Sequence, residues 1–334
     1  MIRLIGFLTV ILSISLGWFW MSYQQSINSS YISDETGAIV ITINKGDSFN
    51  KKVTHLSEKG AVEEKWFKWL ARVEGKANKI QAGEYEFSPG LTPVQILQFL
   101  VKGKVNQYAI SLIEGQTFKQ ILQELHDHPA IKNTLPISAK MPEYLELLNF
   151  PEKHIEGLLL PETYFFIKGT SDKEIIIRAY RSMQAFVNTA WKDREINDNI
   201  KNVYDALILA SIVEKETGAA SERKQIAGLF IRRLEIGMKL QTDPTVIYGM
   251  GDIYKGDIRF RDLREDTPYN TYTRYGLPPT PIAMPGKASI DAVLHPEKTR
   301  SLYFVSKGDG THYFSETLRQ HNNAVNKYQR KKQQ

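Results

Sequence analysis

Two glutamates, Glu214 and Glu216, stand near the end of the run Leu207–Thr217, which reads as a buried helix. Ala206, Leu207, Ala210, Glu214 and Lys215 are good helix formers, and no glycine or proline interrupts before Gly218, a stop signal. Residues i and i+2 of a helix point about 200° apart, so the two carboxyls cannot work as a pair. Glu216 shares its face with Leu209, Ile212 and Val213, and Glu214 shares its own with Leu207, Ala210 and Ser211. The more apolar face desolvates a carboxyl and raises its pKa, which suits an acid that rests protonated. Spacing alone leaves two readings open for Glu216: a general acid, or a solvated or salt-bridged residue at a helix end.

The segments that follow carry groups able to hold a sugar. Leu240–Gly249 reads as polar and turn-rich, with Gln241, Thr242, Asp243 and Tyr248 as candidate contacts. Gln241 and Asp243 can hydrogen-bond an amide or ring hydroxyl, Tyr248 can stack on a sugar face, and Asp243-Pro244 is equally a turn initiator. Tyr269-Asn-Thr-Tyr272 and Gly276-Leu-Pro-Pro279 have the composition of an ordered binding loop, with Asn270 and Tyr272 as the preferred contacts. Glu162 is a second acid, placed either at a cleft or in the ordering of a loop.

Ala210–Thr217, Ala220-Ser-Glu-Arg223, Leu240–Gly249, Tyr269–Tyr272, Gly276–Pro279, Ile282-Ala, Pro285-Gly286 and His295-Pro296 together resemble the YceG-like family of endolytic murein transglycosylases. Glu156–Tyr164 is a further family motif in recognisable form. The resemblance implies that the second Glu of Glu-Lys-Glu-Thr, here Glu216, is the catalytic acid. It implies cleavage of MurNAc-GlcNAc β-1,4 bonds within nascent glycan strands to give 1,6-anhydroMurNAc ends, with no cofactor. Its implied partners are peptidoglycan glycan strands and penicillin-binding protein synthases.

These residues need elements to position them, and the chain divides accordingly. Residues 4–21 carry no charge, Arg3 precedes them, and the next charged residue is Asp34. That length suits a membrane-spanning helix, with Trp18, Trp20 and Tyr23 as an interfacial belt. A cleaved signal peptide would need small residues where Trp-Phe-Trp-Met stands. The expected fold class is α+β: a stub at 1–3, a single transmembrane anchor at 4–23, a tether at 24–37, a LysM-like subdomain at 38–104 and a mixed catalytic domain at 105–330. The LysM-like assignment comes from the resemblance and implies glycan binding, beside the alternative of a scaffold. The anchor puts the amino terminus in the cytoplasm and the catalytic domain on the far side of the cytoplasmic (inner) membrane. Ser48 and Thr92-Pro93 mark helix starts, a helix is expected over 117–127, and another over 175–193 with Ile176, Ile177, Tyr180, Met183 and Phe186 buried. Strands are expected at 38–43, 82–87, 108–113 and 301–306, the last turning at Lys307–Gly310 into His312–Phe314. A helix from 316 to 327 closes the chain.

Composition narrows the chemistry. Of 334 residues none is cysteine, which excludes disulfides, thiol nucleophiles and zinc-thiolate sites. The net charge of +6 comes from 43 basic residues scattered among 37 acidic ones, without the stripe that nucleic-acid binding requires. The seven histidines lack metal-ligand spacing, and His295 reads as structural. Two competing functions stay open: a glycosidase using Glu216 with Asp243 or Glu162 as second carboxylate, and a non-catalytic peptidoglycan-binding scaffold.

Overall fold

The computed structural model describes residues 2–330; Met1 of the expected stub and residues 331–334 of the tail lie outside it. The chain folds into two compact units. One runs to Tyr108 and takes in Phe165–Gly169; the other comprises Ala109–Tyr164 and the chain from Thr170 on.

The small unit begins with α1 (Ile2–Asn28) and β1 (Ile39–Ile43). It continues with α2 (Phe49–Glu58), α3 (Glu64–Val73), β2 (Gly83–Phe87) and α4 (Pro93–Lys102). β1 and β2 pair antiparallel, from Ile39 opposite Phe87 to Ile43 opposite Gly83. Alternation sends Ile41 and Ile43 inward to meet Tyr85 and Phe87, and the helices add Leu56, Phe67, Leu70 and Leu97 to one core. Ser48 caps α2, and Thr92 with Gln95 forms a capping box ahead of Pro93 in α4.

The structure departs from the expected tether. α1 continues to Asn28, and Tyr23, Ile27 and Ile32 are buried in the core of the small unit. Tyr23 meets Trp69 at 4.3 Å between ring centroids, and Phe19 meets Trp66 at 4.9 Å. The stretch is polar and Ser/Asn-rich, but its isolated apolar side chains lose contact with water by packing into that core. Ile5–Asn28 is long and apolar enough to cross a membrane by length and composition.

The small unit also ends later than expected. Buried Glu84 takes the hydroxyl of Tyr108 at 2.5 Å, the ammonium of Lys168 at 2.6 Å and the hydroxyl of Thr42 at 3.3 Å. A buried carboxylate needs such partners, and Lys168 holds its pKa below the usual range. Two of the three lie beyond residue 104, which draws Tyr108 and Phe165–Gly169 into this unit. β3 (Gln107–Ser111) pairs with β4 (Thr163–Ile167), and the division between units runs through these strands.

The larger unit holds α5 (Phe118–Asp127), α6 (Met141–Leu148), α7 (Asp172–Ala190), α8 (Val203–Glu216) and α9 (Arg223–Glu235). After them come α10 (Asp243–Met250), α11 (Lys287–Leu294), the hairpin β5 (Tyr303–Ser306) and β6 (His312–Ser315), and α12 (Leu318–Val325). α8 is central: every residue from Ala206 to Val213 is buried, with α9, α10 and α11 packed around it. α7 starts three residues earlier than expected, because Ser171 and Glu174 form a capping box, and its buried stripe is Ile175, Ile176, Ala179, Met183 and Val187. The β5–β6 hairpin turns where expected, with Lys307 N–H donating to Thr311 O at 2.9 Å. The segment read as turn-rich is a short helix, α10, with Pro244 in its first turn. At Gly228 of α9 a Cβ would stand 2.0 Å from the carbonyl oxygen of Glu297, so only glycine lets that strand of chain cross the helix.

Candidate active site

Glu216 is the last residue of α8, and Thr217 caps the helix. A helix apolar all round is buried all round, so its side chains can leave the core only at its ends. There the two acids diverge. Glu214 accepts the Gly286 N–H at 2.9 Å and lies 3.9 Å from the Arg223 guanidinium, so it ties α8 to the start of α11 and to α9. Glu216 accepts a hydrogen bond from the Thr242 hydroxyl and has no ion-pair partner among the described residues. Burial pushes its carboxyl above the usual range. Against burial work the Thr242 bond, His312 and Arg233; the charge of Asp243 adds to it. The outcome is a carboxyl that keeps its proton to higher pH than a free one and has an alcohol ready to stabilise the anion. The faces of α8 separate the two acids less well than their partners do, because both faces are core.

Thr242 is set by the loop behind it. Its N–H donates to the Thr271 hydroxyl at 3.1 Å, and Gln241 N–H donates to Thr271 O at 3.2 Å. Gln241 adopts φ +48°, a left-handed conformation that turns the chain into α10, and its side chain is exposed. Asp243 is exposed and accepts the Tyr272 hydroxyl at 2.6 Å. Arg233, 6% exposed, donates to Leu240 O at 2.5 Å and to Leu302 O at 2.7 Å, and so fixes the approach to Thr242 from α9.

Asn270 is fully buried, and its amide donates to three loop carbonyls, Asp262, Leu263 and Glu265, while its oxygen accepts Tyr272 N–H. It organises the 262–272 loop instead of facing a ligand. Glu162 is exposed and paired with Lys287. His295 is held by Asp291 at 2.9 Å and the carbonyl of Asp193 at 2.8 Å, in the structural role expected.

The buried acid of the Glu156–Tyr164 motif is Glu156 and not the candidate Glu162, which lies exposed. Glu156 is 3% exposed and accepts the Phe118 N–H at 2.9 Å, at the open start of α5, and the Tyr248 hydroxyl at 3.0 Å. Burial raises its carboxyl to about 7. Tyr248 is thereby half-buried, edge-on to Tyr269 at 4.9 Å, with its hydroxyl committed to Glu156. The signal that could have found Glu156 is its place just before an apolar run, Gly157–Leu160, with Gly157 at φ +78°.

The YceG-like family model matches residues 41–327. A Bacillus subtilis (strain 168) protein named endolytic murein transglycosylase is 33% identical over 327 residues, covering 92% of this chain and 89% of that protein. A protein of the same name from Streptococcus pneumoniae (strain D39 / NCTC 7466) is 25% identical over 359 residues, covering 96% of this chain and 64% of that one. The crystal structure of a YceG-like protein from Listeria monocytogenes superposes with a TM-score of 0.56 at 32% identity, covering 86% of this chain and 99% of that one. With a family model spanning most of its length and a relative above 30% identity along nearly all of it, this chain belongs to the YceG-like family.

Proposed function

We propose that this protein is a lytic murein transglycosylase, held at the cytoplasmic membrane by α1, that cuts within glycan strands of peptidoglycan. The observation that carries the reading is Glu216: a desolvated carboxyl at the end of the buried helix α8, with a hydroxyl donor on one oxygen. The names of the Bacillus and Streptococcus relatives support it.

Cleavage of the bond between MurNAc C1 and GlcNAc O4 needs a proton on the leaving oxygen and relief of the oxocarbenium character that grows at C1. Neutral Glu216 donates that proton as the C1–O4 bond breaks. The carboxylate left behind is stabilised by the Thr242 hydroxyl. It then takes the proton of the MurNAc C6 hydroxyl, whose oxygen bonds to C1 and closes a 1,6-anhydro ring. Glu216 ends protonated, and no water is consumed. Intramolecular attack has the advantage of proximity, so one carboxyl serves where a hydrolase uses two. Exposed Gln241 and Asp243, beside Thr242, are the rim positions for substrate contacts, with Tyr272 aligned by Asp243. The small unit, read as LysM-like, would add glycan affinity. Penicillin-binding synthases are natural partners for an enzyme that releases nascent strands.

The test is the mass of the products from purified peptidoglycan, wild type beside Glu216→Gln. The expected products carry anhydro ends, one water lighter than hydrolysis products, and vanish with Glu216→Gln. Hydrated ends would overturn the lyase reading and favour a hydrolase in which Asp243, whose charge already acts on Glu216, is the second carboxylate. Retained glycan binding without cleavage by the wild type would favour a scaffold.

A further inference from the structure

The apolar run of α1 is already packed against the small unit before it ends. Phe19 meets the rings of Trp66 and Trp69 of α3 at 4.9 and 5.7 Å between centroids, and Tyr23 meets the same two rings at 5.8 and 4.3 Å. The apolar helix begins at Ile5, so residues 5–18 precede this contact, about 21 Å of helix at 1.5 Å per residue. A hydrocarbon core is about 30 Å thick and takes about 20 residues to cross. Counted from Ile5, such a span ends near Gln24, which places Phe19 about 7 Å inside the hydrocarbon boundary. What packs on Phe19 then lies at that boundary as well.

α3 approaches α1 from the polar side. Glu63, which precedes α3, accepts the hydroxyls of Ser26 at 3.3 Å and Tyr31 at 3.4 Å, beyond the end of the apolar run. Trp66 and Trp69 follow and reach Phe19, so α3 runs back from the polar end of α1 toward its apolar part. Its last residue, Val73, follows Trp66 and Trp69 by one and two turns on the same face. Trp69 is half-buried, and Val73 is 62% exposed, an apolar side chain that the core of the small unit leaves uncovered. Around Val73 stand Arg72, Lys76 and Lys79 against one acid, Glu74, which Lys76 pairs at 2.6 Å. A tryptophan edge and an apolar side chain flanked by cations are the composition of a helix end that sits among lipid headgroups.

We propose that the end of α3, from Trp69 to Val73 with Arg72, Lys76 and Lys79 beside it, is a second membrane contact: it enters the boundary of the same bilayer that α1 crosses. This rests on the anchor in the function proposed above. The docked edge makes up the about 9 Å by which residues 5–18 fall short of the hydrocarbon core. Two contacts fix the height and tilt of the small unit on the lipid surface, where one helix on a solvated tether would leave both undetermined.

The chain has no cysteine, so a single introduced one takes a label at a chosen site. Full-length protein carrying Val10→Cys, Glu58→Cys or Val73→Cys is labelled with a bimane fluorophore. It is reconstituted into vesicles of phosphatidylethanolamine and phosphatidylglycerol that carry a nitroxide either at the headgroup or deep in the acyl chain. The Val10 site, in the middle of the span, should lose its fluorescence to the deep nitroxide. The Val73 site should lose most of its fluorescence to the headgroup nitroxide. The Glu58 site, exposed at the end of α2 on the side of Glu63, should lose it to neither. A Val73 site quenched no more than the Glu58 site overturns the contact, and a deeply quenched Val10 site beside it leaves the anchor standing. An unquenched Val10 site removes the anchor and the contact with it. If Val73→Cys does not fold, Arg72→Cys, also exposed, gives the same reading.

Discussion

Replacing Glu156 by glutamine will flatten the pH dependence of stability in the larger unit. The Glu156 side chain is 3% exposed, and its carboxyl titrates at about 7 in the fold against 4.5 in a free chain. At about 1.36 kcal/mol per pH unit, that difference is worth about 3 kcal/mol. The folded state binds the proton more tightly, so the contribution is fully present below pH 4.5 and is lost as pH rises through about 7. Glutamine keeps the shape and an acceptor for the Phe118 N–H, and it has no proton to lose. Native-state amide exchange at Leu207–Ile212, in the middle of buried α8, reports opening of this unit. Measured at matched pH for both proteins, the stability of wild type relative to Glu156→Gln should fall by about 3 kcal/mol between pH 4.5 and about pH 8. A constant offset across that window would refute the reasoning, since it would mean that the carboxyl does not titrate there. Tyr248→Phe sharpens the test: it removes a hydroxyl that favours the anion, so the fall should begin at the same pH but extend to higher pH and be larger.

Further outcomes follow from the same geometry. Glu216→Gln should lower cleavage by about 1,000-fold, as loss of a general acid does, and should raise stability at pH values above the raised Glu216 pKa, because it removes a carboxyl that burial makes costly to ionise. Asp243→Asn removes a negative charge that favours the protonated acid, so the alkaline limb of the pH–rate profile should move to lower pH; an unchanged limb would rule out that coupling. Asn270→Ala should cost about 2–4 kcal/mol and raise amide exchange across 262–274, because three carbonyls lose their donor. A fragment starting at Asp34 should have a small unit roughly 5 kcal/mol less stable than one starting at Tyr23, from losing buried Tyr23, Ile27 and Ile32; equal melting of the two would refute their role in that core.

Residue types and local rules determined a good deal. The uncharged stretch after Arg3, the capping residues Ser48, Thr92 and Thr117, and the glycines of the Lys307–Thr311 turn specify their elements through chemistry that acts within a few residues. The apolar run ending in Glu-Lys-Glu-Thr marks a buried helix with an acid at its exit, and the motifs spread along the chain mark the family. Tertiary structure decided which groups share an environment. Glu214 and Glu216 are distinguished by partners 72 and 26 residues away, Gly286 and Thr242, that no wheel contains. Asn270, an apt sugar contact by type, is spent on loop carbonyls, and Glu84 needs Lys168, 84 residues on, to be buried at all. The desolvated acid of the Glu156 motif is likewise a long-range fact, 92 residues separating Glu156 from Tyr248. Helix starts and turns are governed by short-range hydrogen bonds that sequence displays directly. The ionisation of a buried carboxyl is governed by what the whole fold packs against it, and that is legible only in three dimensions.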